Sequence, residues 1–176
     1  MSAAGGMILG FQVPGAVAAV IAPKPWTTPT NGAEINAWLA IDADGTVTIR
    51  VPHTEQGQGG LTSVAMLIAE ELDVPWDSIR TVFADMNRHV NNGEEYIVTT
   101  THGSQLVRLQ HPHLMQAGAS ARERLKEAAA RAWGLDRGQI TAHQGMLSAG
   151  SRSAPYAQFA AEAGSISLAE EPAIKT

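Results

Sequence analysis

The sequence contains no cysteine. Disulfide bonds, thiolate zinc sites, cysteine-ligated iron–sulfur clusters and cysteine nucleophiles are therefore excluded within this chain. If the protein takes part in electron transfer, an iron–sulfur centre must be carried by another polypeptide.

Charged residues are also scarce, at 16% of 176 residues, against the roughly 25% that is usual for globular proteins. The net charge is −5, and no clustered basic stretch is present, so we expect no nucleic-acid interface. The low charge, together with 17 glycines, is typical of a chain that buries much of its surface, in part against further polypeptide.

The N-terminal apolar stretch, residues 7–22, is interrupted by glycine and by Pro14, so it does not predict a membrane span. We interpret it as the apolar and cleavage-side part of an export signal, although the basic segment that such a signal needs is missing. This predicts a periplasmic protein, or one on the periplasmic face of the inner membrane. The alternative is a plain N-terminal tail on a cytoplasmic protein. A proline-rich linker follows, so residues 1–33 form a tail and linker, and residues 34–176 form the folded part.

Alternating apolar residues predict a β-hairpin over residues 34–51, with its turn at residues 42–45. Helical spacing predicts one helix over residues 61–72 and a longer one that begins at Pro112 and ends before Gly134. The other predicted elements are a short strand at 79–84, a long loop at 86–101, a second hairpin at 140–149 that turns at Gln144–Gly145, and a short helix at 155–163. Together they predict an α+β fold, with small hairpins and short strands packed on two main helices.

The most informative segment is the glycine-rich run 57–60, which lies between a predicted strand and a predicted helix. Glycines let the backbone approach a ligand closely, and the helix behind them directs free N–H groups toward it. The amide of Gln58 offers both donors and an acceptor. No Gly-Lys-Ser/Thr follows and the dinucleotide spacing fails, so neither nucleotide motif is present. Taken alone, the run is a weak signal, because a glycine-rich turn between a strand and a helix is more often purely structural.

Three segments together resemble one family. They are the run Asn36 to Pro52, the motif Glu55-Gln56-Gly57-Gln58-Gly59, and the run Leu67 to Trp76. They are similar to the molybdopterin-binding large subunit of the xanthine dehydrogenase and aldehyde oxidase superfamily, in the branch of isoquinoline 1-oxidoreductase and membrane-associated aldehyde dehydrogenase. A further match is Thr101 to Arg108, where His102 replaces the usual glycine and Gln105-Leu106 replaces the usual Arg-Ser. The resemblance covers roughly residues 34 to 160.

The resemblance implies a molybdenum-cofactor site and its residues. Two loops hold the cofactor in this family, and the matching positions here are Gly57, Gln58 and Gly59 in one loop and Thr101, Gly103 and Ser104 in the other. The implied cofactor is molybdopterin, with or without a cytosine nucleotide. The family's catalytic glutamate lies in sequence beyond this chain, so we assign no catalytic residue and no direct metal ligand here, and no catalytic role to Glu55.

The implied function is that of one part of an oxidoreductase that hydroxylates an N-heterocycle or oxidises an aldehyde, with water as the oxygen source. The implied partners are the remainder of the large subunit or a second chain, an iron–sulfur subunit, a cytochrome c subunit as a further candidate, and a small-molecule substrate. The alternative is a cofactor-less structural or binding subunit, in which Gln56, where the family usually has methionine, together with His102 and Gln105, reflects a lost cofactor. A small binding module is the third possibility.

Other polar residues give weaker patterns. His102, His111 and His113 are close in sequence, but no carboxylate completes a familiar metal-ligand spacing, so we predict surface or loop histidines. His53 lies far from them in sequence, and we predict that it too is a surface or loop histidine. The acidic residues at the end of the first helix, among them Glu71, are predicted to be solvated.

Overall fold

The computed structural model describes residues 33–91, 93 and 95–175. The first part of this region forms a four-stranded sheet. The predicted export signal and linker lie outside the described residues, except for Ala33. The strands follow chain order across the sheet, and they are β1 (Ala33–Asn36), β2 (Leu39–Ile41), β3 (Val47–Val51) and β4 (Ile79–Phe83). The first three pair antiparallel, and β4 lies parallel to β3.

The predicted hairpin over residues 34–51 is correct in its second half and wrong in its first. Strands β2 and β3 pair with Leu39 opposite Ile49 and Ile41 opposite Val47, as the alternation predicts. The stretch before the turn, however, is two strands rather than one. The side-chain oxygen of Asn36 accepts hydrogen bonds from the backbone N–H groups of Trp38 and Leu39, and this local turn folds β1 back onto β2.

The first main helix, α1 (Gly60–Leu72), confirms the prediction to within one residue. It connects β3 to the parallel strand β4, as a crossover connection between parallel strands usually does. Its end is set by Asp73, which adopts a left-handed conformation with φ 61° and donates its N–H to the carbonyl of Ala69. One 3₁₀ turn, Trp76–Ser78, then leads into β4, which confirms the predicted strand.

The predicted loop at 86–101 contains a short helix, α2 (Met86–Asn91), which the prediction missed. The carboxylate of Asp85 caps it by accepting from the N–H groups of Asn87 and Arg88. The guanidinium of Arg88 then binds the carboxylates of Glu34, at 2.6 Å, and Glu95, at 2.9 Å. These charged contacts fasten the segment to β1, so the segment is held by tertiary interactions that hydrophobic periodicity does not reveal.

The second main helix, α3 (Gln105–Trp133), begins seven residues before the predicted start at Pro112. Proline is favoured in a first helical turn, and the prediction used it as a start signal. In the structure Pro112 lies inside the helix, which continues on both sides of it. The predicted end is confirmed, because Gly134 adopts φ 66° and closes the helix.

Helices α1 and α3 run side by side in the same direction and cross closely at Gly118. A Cβ atom added at Gly118 would lie 2.5 Å from the carbonyl oxygen of Ile68. Next to this crossing, the carboxylate of Glu71 is completely buried and binds Arg122 at 3.1 Å. The prediction of a solvated Glu71 is therefore wrong, because the glutamate faces the neighbouring helix rather than water.

The C-terminal part forms a second sheet of three antiparallel strands, followed by a short helix. The strands and the helix are β5 (Thr141–His143), β6 (Met146–Ala149), β7 (Arg152–Pro155) and α4 (Ala160–Ser165), with 3₁₀ turns at Arg137–Gln139 and Tyr156–Gln158. The predicted turn is confirmed, since Gln144 and Gly145 both have positive φ, whereas β7 was not predicted. The α+β class is confirmed. No helix among residues 33–91, 93 and 95–175 is long and apolar enough to cross a membrane.

The crossing of α1 and α3 predicts a specific effect of substitution. Gly118→Ala should lower the free energy of unfolding by about 1–3 kcal/mol, because the methyl group forces the two backbones apart. Thermal or urea unfolding of the purified protein measures this loss. Gly138→Ala is the matched control, since a Cβ at Gly138 meets no atom within 4 Å. Equal stability of the two variants would contradict the close crossing.

Candidate functional site

The two predicted loops meet at the N-terminal ends of α1 and α3. The hydroxyl of Thr54 donates to the Thr101 hydroxyl at 3.1 Å, and the Thr101 hydroxyl donates to the Thr54 carbonyl at 3.1 Å. Behind them, a Cβ at Gly60 would lie 3.0 Å from Leu106 in the first turn of α3. The structure therefore brings the two loops together, although they come from segments about 45 positions apart in the sequence.

The first loop, residues 54–59, folds around the carboxylate of Glu55. Gly57 and Gly59 have φ values of 94° and 75°, which glycine adopts far more easily than other residues. These conformations turn the backbone N–H groups of Gly57, Gly59 and Leu61 toward Glu55, at 2.8, 3.0 and 3.3 Å. The loop is thus an anion-binding nest at a helix N-terminus, and here it holds a carboxylate of its own chain.

The charge of Glu55 is stabilised by these contacts. The hydrogen bond from Gly59, followed by those from the other N–H groups, lowers the pKa of the Glu55 carboxyl below the usual glutamate value. Sequence reasoning gave Glu55 no catalytic role and did not identify this structural one. The position of Glu55 could have indicated this role. It lies two residues before the glycine-rich run, and an acidic side chain there can reach the free N–H groups at the start of the helix.

Gln58 has a local structural role that sequence reasoning did not assign. Its side-chain oxygen accepts from the N–H of Gln56 at 2.6 Å, and its side-chain nitrogen donates to the Thr54 carbonyl at 2.9 Å. The residue is nevertheless exposed, and its amide nitrogen carries a second hydrogen. Gln58 can therefore stabilise the loop and still offer a donor to a ligand.

The second loop, residues 101–104, differs from the first in how its helix begins. Gly103 and Ser104 both adopt left-handed conformations, with φ 57° and 54°. Ser104 is the N-cap residue of α3, yet its hydroxyl makes no capping hydrogen bond to that helix. Both residues are exposed. The N–H of Gln105 donates to the His102 carbonyl at 3.2 Å, and the N–H groups that follow it and the Ser104 hydroxyl are placed to bind an anionic or polar group.

A buried pair lies behind the two loops. The side-chain nitrogen of Gln110, in α3, is 2.9 Å from Nε2 of His53 and 2.8 Å from the carbonyl oxygen of Val98. His53 and Gln110 are only 2% and 1% exposed, so the expectation of a loop or surface histidine at position 53 is wrong. The side chain follows the buried end of β3 into the interior, which hydrophobic periodicity does not indicate for a histidine.

The site provides hydrogen-bond donors rather than metal ligands. Among the residues that the structure describes, no three His, Asp or Glu side chains are grouped so that they could hold a metal ion. His102, His111 and His113 are exposed, as predicted. The parallel helices point two positive dipole ends at the same region, and because the Glu55 carboxylate already lies at the start of α1, the end that favours a ligand with negative charge is that of α3.

Another concave region lies along α1, from Thr62 to beyond the end of the helix. It is a groove of about 540 Å³, and it includes the exposed side chains of Met66 and Trp76. The side chain of Asp73 there already binds Lys175 at 3.1 Å. This groove shares no residue with the two loops, so it is distinct from the site that they form.

Comparison with known proteins assigns a family model to nearly the whole chain. Residues 6–175 match the model described as the molybdopterin cofactor-binding domain. Among solved structures, quinoline 2-oxidoreductase from Pseudomonas putida 86 superposes with a TM-score of 0.54 over 69% of this chain and 15% of that one, at 21% identity. Carbon monoxide dehydrogenase from Oligotropha carboxidovorans gives a TM-score of 0.50 over the same shares of the two chains, also at 21% identity. At this identity the likeness concerns the fold.

Two curated relatives extend this comparison at the level of sequence. The beta subunit of isoquinoline 1-oxidoreductase from Brevundimonas diminuta is 33% identical over 151 residues, which are 84% of this chain and 19% of that protein. The membrane-bound aldehyde dehydrogenase of Gluconacetobacter polyoxogenes, whose name specifies pyrroloquinoline-quinone, is 28% identical over 89% of this chain and 20% of that protein. The chain therefore spans about a fifth of the length of the curated relatives that it matches.

The nest around Glu55 predicts the effect of removing its charge. Glu55→Gln should speed hydrogen exchange at the backbone amides of Gly57 and Gly59, because a neutral amide accepts their N–H groups more weakly. Since folding lowers the pKa of Glu55, its stabilising effect is complete above the usual glutamate pKa and is lost as pH falls through the lowered value. Hydrogen exchange followed by mass spectrometry or NMR measures both effects. Glu170→Gln, at an exposed position, is the control, and unchanged exchange in Glu55→Gln would contradict the nest.

Proposed function

The chain belongs to the molybdopterin cofactor-binding domain family, and we propose on this premise that its two loops form part of the cofactor site of a molybdenum-dependent oxidoreductase. The observation that carries the proposal is the meeting of the loops through Thr54 and Thr101 at two parallel helix N-termini. Cofactor residues are proposed in both loops, and they are Gly57, Gln58, Gly59, Thr101, Gly103 and Ser104.

The donor set suits the chemistry of a pterin with an anionic tail. Backbone N–H groups and the Ser104 hydroxyl at the start of α3 suit a phosphate group, because the hydroxyl of this N-cap residue makes no capping hydrogen bond to the helix. The start of α1 is different, since the Glu55 carboxylate already accepts hydrogen bonds from its N–H groups. The first loop therefore suits a neutral, polar part of the cofactor, to which Gln58 can donate its second amide hydrogen.

In this proposal the residues of the two loops bind and orient the cofactor. The Thr54–Thr101 hydrogen bonds hold the loops at a fixed separation, and the glycine conformations leave the backbone open to a close approach. When bound, the molybdenum cofactor supplies the oxidation of the substrate with water as the oxygen source. No acid or base for that reaction is assigned to this chain.

The activity of the whole protein is proposed from its relatives. We infer hydroxylation of an N-heterocycle or oxidation of an aldehyde, supported by the names of the isoquinoline and aldehyde relatives. Electrons would leave through an iron–sulfur subunit and then through a cytochrome c subunit or another acceptor, because this chain has no cysteine to hold a cluster. The remainder of the large subunit would complete the site. We also propose that the protein is periplasmic and that its cofactor carries a cytosine nucleotide.

The competing function is that of a relative which has lost the cofactor or binds a different one. His102 and Gln105, the departures from the family pattern in the second loop, motivate the first possibility. The name of the aldehyde dehydrogenase relative, which specifies pyrroloquinoline-quinone, motivates the second. Elemental analysis for molybdenum and chromatographic analysis for the quinone, made on the purified full-length protein, separate these functions directly.

Substitution in either loop should reduce cofactor content. A lost hydrogen bond weakens binding by about 1.5–3 kcal/mol when the ligand group is charged and by about 0.5–1.5 kcal/mol when it is neutral, so the effect should be larger at Ser104 than at Gln58. In the complete protein, Gln58→Ala and Ser104→Ala should therefore lower the molybdenum content per protein, measured by elemental analysis, with circular dichroism to monitor folding.

Two substitutions of the same type provide the controls. Gln158→Ala and Ser151→Ala remove an amide and a hydroxyl at exposed positions in the C-terminal part of the chain, and they should leave molybdenum content unchanged. If the wild-type protein contains molybdenum and both loop variants retain all of it, these loops do not hold the cofactor.

A further inference from the structure

The buried pair of His53 and Gln110 connects the three segments that build the site. His53 comes directly before the loop of residues 54–59, Val98 comes just before the loop of residues 101–104, and Gln110 lies in α3 behind the second loop. The single side-chain amide of Gln110 contacts both of the others. The pair therefore lies at the base of both loops, on the side away from solvent.

The hydrogen-bond geometry determines the chemical state of the pair. The Val98 carbonyl oxygen can only accept, so the group that faces it is the Gln110 amino group. The second hydrogen of that amino group points to Nε2 of His53, 2.9 Å away, and Nε2 must then be the unprotonated nitrogen. His53 is consequently neutral with its proton on Nδ1. Burial lowers the pKa of His53, in agreement with this state.

The pair keeps two polar atoms without a partner. Within the described part of the chain, neither Nδ1 of His53 nor the side-chain oxygen of Gln110 has a hydrogen-bond partner. A buried polar atom without a partner destabilises a protein, and apolar side chains of similar size would avoid this cost. A stability role alone therefore gives a poor explanation of why polar side chains occupy these two positions.

We propose that His53 and Gln110 are positioning residues, which hold the two loops in register with each other and so shape the cofactor site. The inference rests on the proposed function of the loops. Neither residue needs to contact the cofactor. Their hydrogen bond and the Gln110–Val98 bond set where each loop leaves the protein interior, and the Thr54–Thr101 contacts extend the same alignment to the surface.

Single substitutions give the first test, in the complete protein purified with its cofactor. His53→Leu and Gln110→Leu should each lower molybdenum content by about tenfold, since each removes the hydrogen bond that links the loops. His53→Gln should restore most of the content, because its side-chain oxygen can accept from Gln110 as Nε2 does. Leu125→Ala, a core substitution in α3 far from the loops, should lower the melting temperature but keep the molybdenum.

The double variant His53→Leu/Gln110→Leu separates positioning from stability. Replacing both side chains with apolar groups removes their buried polar atoms and leaves only the Val98 carbonyl without its donor, so the melting temperature of the double variant should lie above that of Gln110→Leu, in which His53 also loses its partner. Its molybdenum content should stay low, because the link between the loops is still missing. Molybdenum content that follows the melting temperature in all of these variants would overturn the proposal, and so would full content in His53→Leu.

A second measurement keeps the test decisive if the double variant folds poorly. Imidazole ¹⁵N NMR on protein labelled at histidine reports which nitrogen of His53 carries the proton, and we expect Nδ1 near neutral pH. An Nε2-protonated or doubly protonated ring would overturn the pair as described. Failure of the proposed function looks different, since the wild-type protein itself would then contain no molybdenum.

Discussion

The parallel packing of α1 on α3 is the constraint on which the rest of the structure depends. Gly118 permits it, because any side chain there would collide with the backbone of α1. The completely buried carboxylate of Glu71 and its partner Arg122 fix the same crossing with charged hydrogen bonds. A buried pair of this kind adds little stability against an apolar alternative, but it is costly to break, so it favours one alignment of the helices.

Function follows from this alignment through the helix ends. Because the helices are parallel, their N-termini emerge side by side, and so do the loops that precede them. The two ends are chemically different, since the Glu55 carboxylate accepts from the N–H groups at the start of α1, whereas the Ser104 hydroxyl makes no capping hydrogen bond to α3. This difference gives the site one neutral polar half and one half that favours an anion, which matches the two parts of a pterin with a phosphate.

The sequence predicted those parts of the fold that depend on local signals. Helix α1, the turn at Gln144–Gly145 and the end of α3 at Gly134 follow from periodicity and from glycine conformations. The start of α3 was missed because Pro112 is a valid start signal that the structure does not use. The break between β1 and β2 depends on one side chain, Asn36, and α2 depends on contacts with residues distant in sequence.

The sequence selected the two loops of the candidate site but not the contacts made inside them. Motif resemblance selected two loops, and the structure brings them together, although their contact with the cofactor stays a prediction. Periodicity could not reveal that Glu55 turns back into its own loop, or that His53 is buried against Gln110, because both depend on side-chain direction. Motifs thus identified the loops, whereas tertiary contacts determine which donors remain available.

An experimental structure of the complete protein with its bound cofactor tests the central claim most directly. The distances to measure run from the cofactor to Gln58 in the first loop and to the backbone N–H groups that begin α3 in the second. We predict hydrogen-bond distances to both loops, with the anionic group at α3 and with Glu55 still in its nest. A cofactor that contacts neither loop, or an anionic group that displaces Glu55 from the start of α1, would contradict the account.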